Sequence, residues 1–490
     1  MTSRSGLSSL RPYWVVGFTG HRHLRDPQAV GRALTAILES LRQEIDGDLA
    51  CASSVAIGAD TLFACAALSL SLPWRALLPA PPTDLRNDFA DDDWRIVQQL
   101  LAQAIEVDVR AAPFAADASY LECGMDTVDQ SDFMIAVWDQ APARGLGGTA
   151  DIVAYTRSVN KPLILVNPET LEVQRERFSA GGFVDPEMDY LNNLADAPPP
   201  SSSSAPEALL RFFAKTDRMA ARSAPNFRRW VAASVVMNTL ATVLMAFSIA
   251  FMLHLGPLDA SVFALSAGAM GVGLYLKYRK IQRTWIHCRT AAEICRTAIA
   301  TWGLPRLVLP AVPGQSATFA RLATSLRMLH LRSQPLAELP IDVLRERYIA
   351  ERIDDQASYH RVRRARLETR RQRLIALFWV CSALAVLRGL LVGIFGIGGL
   401  GEELRHLVNH FLPLALPCLA GFALALISVF DLNSQVARSR ETEDFLASAR
   451  AETAACSNIY ALQRAIERTE RFLAHEIAEW FTRSREPRYG

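Results

Sequence analysis

The chain has little that would tie it to an oxidising compartment or to a polyanion. None of its eight cysteines forms a C-x-x-C pair, and several lie inside apolar runs, where cysteine behaves as a small hydrophobe. A disulfide framework and a zinc site are therefore disfavoured, and a reducing compartment fits. Lys and Arg number 52 against 50 Asp and Glu, a formal net charge of +2, so total charge points to no nucleic acid polymer as partner. No signal peptide is visible: the first apolar run, Tyr13–Phe18, is too short for an h-region and reads as a strand. The N-terminal segment is expected to stay on the side where it is made.

What the chain does have is apolar length. Hydrophobic residues make up 50% and charged ones 21%, with a mean hydropathy of +0.13, and the excess is clustered. From Val231 to Leu253 there is no ionisable residue, enough at ~1.5 Å per residue to cross a hydrocarbon core of roughly 30 Å. A tip, Gly256-Pro257-Leu258-Asp259, precedes a second uncharged run to Leu276, in which Gly268, Gly271 and Gly273 read as points of close helix approach. The first two spans are placed at 231–255 and 258–276, the second two at 374–397 and 411–430. Pro413 falls in the first turn of the last span and Pro417 deeper, where it predicts a kink.

The flanks orient these spans. Arg228 and Arg229 precede the first, and Lys277, Arg279, Lys280 and Arg283 follow the second. Six arginines between Arg363 and Arg373 precede the third, and Arg438 and Arg440 follow the fourth. The tips carry only Arg405, beside Glu402 and Glu403. By the positive-inside rule, both hairpins have their ends in the cytoplasm, which predicts a multi-pass inner (cell) membrane protein with N and C termini cytoplasmic. The alternative, two buried core hairpins in a soluble protein, does not account for the repeated same-side charge. Arg388 interrupts the third span. It reads either as a residue snorkelling to the outer headgroups or as a pore-lining, gating charge, whose loss would alter conductance or toxicity but not insertion.

Residues 12–167 alternate β-rich runs with helix-period stretches. Strands are expected at Tyr13–Phe18, Ser53–Ile57, Trp74–Leu78, Glu106–Val109, Phe133–Trp138 and Pro162–Val166. Helices are expected at Pro27–Gln43, Asp60–Leu70, Asp92–Ala104, Tyr120–Gln130 and Thr149–Ser158. This is the pattern of an α/β, doubly wound parallel sheet of Rossmann-like type, followed here by an all-α membrane region of four transmembrane helices in two hairpins with long cytoplasmic helices. The chemistry-bearing residues stand just after strands: Thr19, Gly20, His21 and Arg22; Gly58, Ala59 and Asp60; Asp139; then Arg144 through Gly147, Gly148, Thr149 and Asp151. In such a sheet these loops share one edge, where ligands bind. Glycines admit a ligand to the backbone, a helix starting near Thr149 turns its amides toward an anion, and His21 and Arg22 add positive charge. Together they suit a phosphate-bearing ligand. Taken singly, Gly147-Gly148 could be a tight turn, Thr149 an N-cap, and Asp60 the cap of its own helix. His21 and His23 alternate like metal ligands, but no third ligand is evident, so no metal and no cofactor are assigned. Asp91-Asp92-Asp93 reads as a solvated helix start.

The segments G-F-T-G-H-R from Gly17, A-I-G-A-D from Ala56, S-D-F-M-I-A-V-W-D from Ser131 and G-L-G-G-T-A-D-I-V from Gly145 resemble the SLOG superfamily of Rossmann-like nucleotide-binding domains, over roughly the first 170 residues. Some relatives are cytokinin-activating phosphoribohydrolases with a P-G-G-x-G-T-x-x-E motif; other SLOG domains are regarded as sensors of nucleotide-derived signals. Here Gly147-Gly148-Thr149-Ala150-Asp151 lacks the proline and carries a shorter acid one residue closer to the Thr, so no catalytic residue is assigned. If the chain were an enzyme, Asp151 and Arg22 would be its candidates. The membrane half resembles the SLATT class of two-span modules, through Arg289-Thr290-Ala291-Ala292-Glu293, Tyr348 to Ile353 with Gln356 and Tyr359, the echo Arg450-Ala451-Glu452, and Glu476 to Trp480. The resemblance implies a pore-forming or membrane-disrupting effector of bacterial defence, accompanied by a second-messenger synthase encoded elsewhere.

The organisation expected is a nucleotide-binding domain at 1–195, a Pro/Ser linker at 196–206, and two-span modules at 207–340 and 341–490. The segment Asn433–Arg483 reads as one long amphipathic helix packing on the first module or another subunit. Four spans make a poor channel wall, so a homo-oligomer in the lipid bilayer is expected. The leading function is a membrane effector that senses a nucleotide-derived ligand. The alternatives are a membrane-tethered nucleotide or N-glycoside hydrolase and a constitutive channel or transporter.

Overall fold

A computed structural model of the chain describes residues 9–109, 116–142, 145–178, 182–200, 205–252, 256–278, 281–310, 317–333, 340–396 and 401–485. Arg144, Arg279, Lys280, Ser201 to Ser204 and the expected span ends at 253–255 and 397 lie outside the described residues. Two compact units divide the chain: Met1–Asn193 with Pro206–Phe212 and Gln315–Leu336, and Leu194–Ala205 with Phe213–Gly314 and Ala337–Gly490.

The first unit is built on seven strands, β1 (Tyr13–Gly20), β2 (Asp48–Ser53), β3 (Trp74–Leu78), β4 (Glu106–Val109), β5 (Phe133–Val137), β6 (Leu163–Val166) and β7 (Val173–Glu176), in the order β4-β3-β2-β1-β5-β6-β7. All neighbours are parallel except β6 and β7. The chain winds outward in both directions from β1, so the order reverses between β1 and β5. Helices α1 (Pro27–Glu44), α2 (Ala59–Ser69), α3 (Pro82–Leu85), α4 (Asp91–Gln103), α5 (Ala116–Asp129) and α6 (Thr149–Ser158) connect the strands, and α7 (Pro186–Asn192) follows β7. Side chains alternate along β1: Trp14, Val16 and Phe18 join the core under α1 and α2, while Tyr13 and Val15 point to the opposite face. Burial on both faces explains the near-continuous apolar runs of the central strands. The exposed edge strand β7, V-Q-R-E, is short and polar, which suits an edge that must not pair further.

Two differences from the sequence reading matter. The second strand is Asp48–Ser53, not Ser53–Ile57. Gly47, at φ +143°, brings the chain hard against Pro12, and Asp48 N–H donates to Pro12 O, which starts the strand early. Ser54–Ile57 is thereby released into the loop beyond the strand ends. β7 was missed because its only apolar residue is Val173.

The remaining helices are α8 (Glu207–Ala250), α9 (Gly256–Tyr278), α10 (Ile281–Ala300), α11 (Ala317–Arg332), α12 (Ile341–Tyr348), α13 (Asp355–Phe395), α14 (Glu402–His406), α15 (Leu412–Val429), α16 (Leu432–Ala454) and α17 (Ile459–Arg485). Helix α11 belongs to the sheet unit. Its Met328 packs with Tyr13, Val15, Ala50, Ala52 and Leu77 on the face opposite α1. Tyr13 N–H donates to Ser325 Oγ (2.9 Å), and Arg321 reaches Asp132 (3.0 Å) and Asp185 (3.1 Å) with its guanidinium 3.4 Å from the centre of the Trp14 ring. Arg327 pairs with Glu106, which also takes the buried Arg75 (2.7 Å). Burial alone would raise the Glu106 carboxyl, but Arg75 and Arg327 together hold it below the usual range.

Among the described residues four helices are long and apolar enough to cross a membrane, and they are the four expected from the sequence. Gly256 to Asp259 form the first turn of α9 rather than a tip. Gly268 does lie against a neighbour, since a Cβ there would come 2.2 Å from Met237 Cε, but Gly271 and Gly273 face open space, so close packing does not explain them. Helix α8 runs beside α15: Ala232 and Val235 pack with Phe430 at one end, and Phe247 meets Phe411 edge-on at the other. Helix α13 packs on α15 through Cys381, Leu416 and Ala420. The stretch read as one helix from Asn433 to Arg483 is two, α16 and α17. Asn458 Oδ1 accepts from Ala461 N–H and caps the second, and the pair stacks Phe445 on Phe472 at 3.8 Å.

A buried carboxylate ties this unit together. Glu470 of α17 is fully buried and takes Nε and a terminal nitrogen of Arg352 (2.8 and 2.7 Å), the Tyr348 hydroxyl (2.8 Å) and the Thr297 hydroxyl of α10 (2.8 Å). Arg352 sits in a π-helical turn, Ile349–Asp354, that joins α12 to α13.

Candidate functional site

The carboxyl ends of β1, β2 and β3 open onto a small cleft. Arg22 from the loop after β1, Ser54 to Ile57 after β2, Pro79 after β3, then Asp88, Phe89 and Tyr120 line it. Of the three loops expected to converge, those after β1 and β2 line it, and the glycine turn after β5 does not. Gly58, at φ +96°, lets the β2–α2 turn meet the loop after β1, because a Cβ there would fall 2.3 Å from Arg22 O. Ala59 N–H donates to His21 O (3.0 Å), and a Cβ on Gly20 would strike Ala59. The two glycines therefore serve backbone-to-backbone approach between the loops. Across the reversal point, His21 N–H donates to Val137 O (3.2 Å), and its ring Nε2 lies 2.9 Å from Asp139 Oδ1. Thr19 lies in the register of β1 on β5 opposite Ala136, one pair before the last, Gly20 opposite Val137.

Asp60 is not the cap of α2; that position is Gly58. Its side chain turns inward, 7% exposed, and its Oδ1 has no hydrogen-bond partner among the described residues. Burial pushes its pKa up to about 7, against the pull of the Ala56 amide, the Arg22 charge and the Gly20 amide. A buried polar atom without a partner is rare enough to need a reason. Across the cleft, Tyr120 donates its hydroxyl to Asp88, and the Arg22 guanidinium stands 5.5 Å from the centre of the Tyr120 ring. Burial and Asp88 push the Tyr120 hydroxyl up to about 12, so it remains a donor. The sequence reading missed Asp88, Phe89 and Tyr120; an aromatic on an amphipathic helix gives no cue that it turns to a cleft.

The glycine turn after β5 takes a different part. Gly147, at φ +78°, packs on the backbone of α5, where a Cβ would lie 2.6 Å from Leu121 N, next to Tyr120. The α6 cap is Gly148 rather than Thr149, which is buried one position later. Asp151 Oδ2 accepts from Gly147 N–H (3.0 Å), so this carboxylate holds the turn at the helix amino terminus. A negative charge already seated there leaves less field for a second anion.

Arg388 is satisfied inside its own hairpin. Its Nε donates to Val408 O (2.8 Å), and a terminal nitrogen lies 3.1 Å from Asn409 Oδ1. Leu407 to Phe411 form a π-helical turn in which Leu412 N–H bonds Leu407 O. The next such donor, to Val408 O, would be Pro413, which has no N–H. Arg388 thus fills the vacancy that proline creates. Arg388→Leu should leave insertion unchanged but destabilise the hairpin in detergent by about 1 kcal/mol, the low end of the cost of a carbonyl left without a donor, since Val408 is only half-buried. Protease protection and a thermal scan check it, and an unchanged melt would refute this pairing.

Residues 211–303 match the family model described as SMODS and SLOG-associating 2TM effector domain 3, a stretch that takes in most of α8 and all of α9 and α10. No curated protein matches the chain. Among solved structures it is similar to the X-ray structure of DNA processing protein A from Streptococcus pneumoniae, at 15% identity and a TM-score of 0.25, over 33% of this chain and 53% of that one. The chain therefore spans about half the length of that protein. The matched two-span module and the four apolar helices make this a multi-pass membrane protein.

Proposed function

We propose that the chain is a bacterial defence effector in which the sheet unit, as a SLOG-like sensor, binds a nucleotide-derived ligand and the spans then open or disrupt the membrane. The effector class rests on the two-span module at 211–303. The sensing rests above all on Asp60, a buried acid with a vacant oxygen beside the Gly20 and Arg22 loop, at the strand edge where doubly wound sheets take ligands. Phe89 and Tyr120 offer an apolar wall for a base and Arg22 a cation for phosphate, while Asp60, buried beside Arg22 and the Ala56 amide, offers an acceptor for a ligand hydroxyl or amine that reaches past the cleft floor. The ligand must bind the open or disruptive state better than the resting one, or nothing shifts. In this reading both termini face the cytoplasm across the inner membrane, and several copies surround the pore. Asp151, committed to its own turn, gives no support to a hydrolase.

The test uses the full chain in lipid nanodiscs, incubated with nucleotides, cyclic oligonucleotides and ADP-ribose derivatives. Mass spectrometry then identifies what is retained and what is released. A compound retained intact, which then triggers dye release from liposomes, is the expected result. Arg22→Gln should weaken its retention about tenfold, the value of one charged hydrogen bond. A free base or sugar phosphate appearing with turnover would instead make the protein an enzyme. Dye release without any ligand would make it a constitutive channel.

A further inference from the structure

The arginines ahead of the third span divide by direction. Those turned toward α16 have protein partners: Arg363 donates to Gln435 (3.2 Å) and Arg364 pairs with Glu443 (2.9 Å). Arg366, Arg370 and Arg373 are all exposed, and at spacings of four and three they share one face of the continuous helix α13. Among the described residues none of the three has a carboxylate partner. Arg371, between them, keeps a buried Nε without a hydrogen bond.

Their level is set by packing. The Arg370 guanidinium stands 4.3 Å from the centre of the Phe430 ring. Phe430 follows directly on the apolar helix α15 and packs with Leu367 and Leu374 of α13 and Ala232 and Val235 of α8. Just beyond it the chain breaks at Asp431, at φ +47°. The three guanidiniums therefore form a collar, about 10 Å from end to end, where the hydrocarbon-compatible surface stops. That is the depth of headgroup phosphates. A guanidinium beside apolar surface, already stacked on an aromatic ring, is suited to a phosphodiester in bidentate geometry.

We propose that Arg366, Arg370 and Arg373 form a binding site for the headgroup of an anionic phospholipid, seated against Phe430. A zwitterionic headgroup carries its own cation and gains less, so the site discriminates by net charge. The membrane's acidic lipids are then a structural ligand of the second hairpin, independent of whatever the sheet unit senses.

The test is native mass spectrometry of the full chain in mild detergent, titrated with phosphatidylglycerol or phosphatidylcholine. The parent should retain phosphatidylglycerol selectively. The variant Arg366→Gln/Arg370→Gln/Arg373→Gln should retain it about a hundredfold less, each cation near an anionic headgroup being worth about fivefold. Arg361→Gln, on an exposed position of the opposite side of α13, should behave as the parent. Should the triple variant fail to insert, Arg366→Gln alone carries the test, with a loss of about fivefold. Equal retention of the two lipids by the parent, or undiminished retention by the variants, overturns the proposal. So does displacement of the lipid by millimolar inorganic phosphate, which would mark a site for a soluble ion.

Discussion

Asp60→Asn will make the sheet unit more stable than the parent at pH 8 and leave it nearly unchanged at pH 4. The parent carboxyl titrates near 7 when folded, against 3.8 as the ordinary value. Between those two pH values the folded chain holds a proton that the unfolded chain has lost. The parent's stability therefore falls as pH rises through that window and levels off above 7. A shift of this size corresponds to as much as about 4 kcal/mol, less whatever an amide loses by facing the Gly20 and Ala56 amides. Unfolding of the full chain in detergent, followed by tryptophan fluorescence from pH 4 to 8, measures it. Parallel profiles for parent and variant would show that Asp60 is not held in this way. A ligand that donates to Asp60 Oδ1 should lower the carboxyl's pKa and take up part of the same energy, so bound ligand should flatten the parent's profile.

The second large effect is expected at Glu470. Glu470→Ala leaves Arg352 charged and buried without its partner, at a cost of about 3–5 kcal/mol. Burial alone would raise the Glu470 carboxyl, but the Arg352 charge, with hydrogen bonds from Arg352, Thr297 and Tyr348, holds it below the usual range. Its contribution is therefore present above the ordinary carboxylate range and fades as pH falls toward the depressed value. Replacing both partners by apolar residues, Arg352→Met with Glu470→Leu, should recover most of the loss, because no uncompensated charge remains. Thermal scans of the three proteins decide this; a double variant as weak as Glu470→Ala would mean that the hydroxyls of Thr297 and Tyr348 matter more than the ion pair. The carboxylate joins α10, after the first hairpin, to the π turn ahead of the second. Motion in one hairpin should accordingly reach the other through these bonds.

What could be read from the residues alone followed from periodicity and from charge. Trp74–Leu78, Glu106–Val109 and Thr149–Ser158 have the bounds expected of them, because apolar runs cut by Gly, Pro and Asp leave little choice. The four spans were legible because long apolar runs, the first and the last of twenty or more uncharged residues, stand between basic flanks repeated on one side. The loops at Gly20, Gly58 and Asp139 could be placed on one edge because a parallel sheet puts them there. The rest depends on partners distant in sequence. Tyr120 joins the cleft through Arg22 and Asp88, Glu470 meets an arginine more than a hundred residues earlier, and Arg388 answers a proline on the next helix. Nothing local in the sequence marks such pairings. Helix α11 is the largest of these omissions, since its pattern suits any amphipathic helix and only Arg321, between Asp132 and Asp185, reveals its seat.

That helix has a bearing on how the protein is made. The sheet face over Val15, Ala50 and Leu77 is covered by residues that leave the ribosome after the first hairpin. Domains ordinarily fold as units from the N-terminus while synthesis continues. Here the N-terminal unit must wait, one face uncovered, until about residue 332 has emerged. By then α8 and α9 have already met the bilayer. Completion of the sheet unit is thus placed after membrane entry in the order of synthesis, so a chain that stalls before the membrane would never complete its own sheet unit.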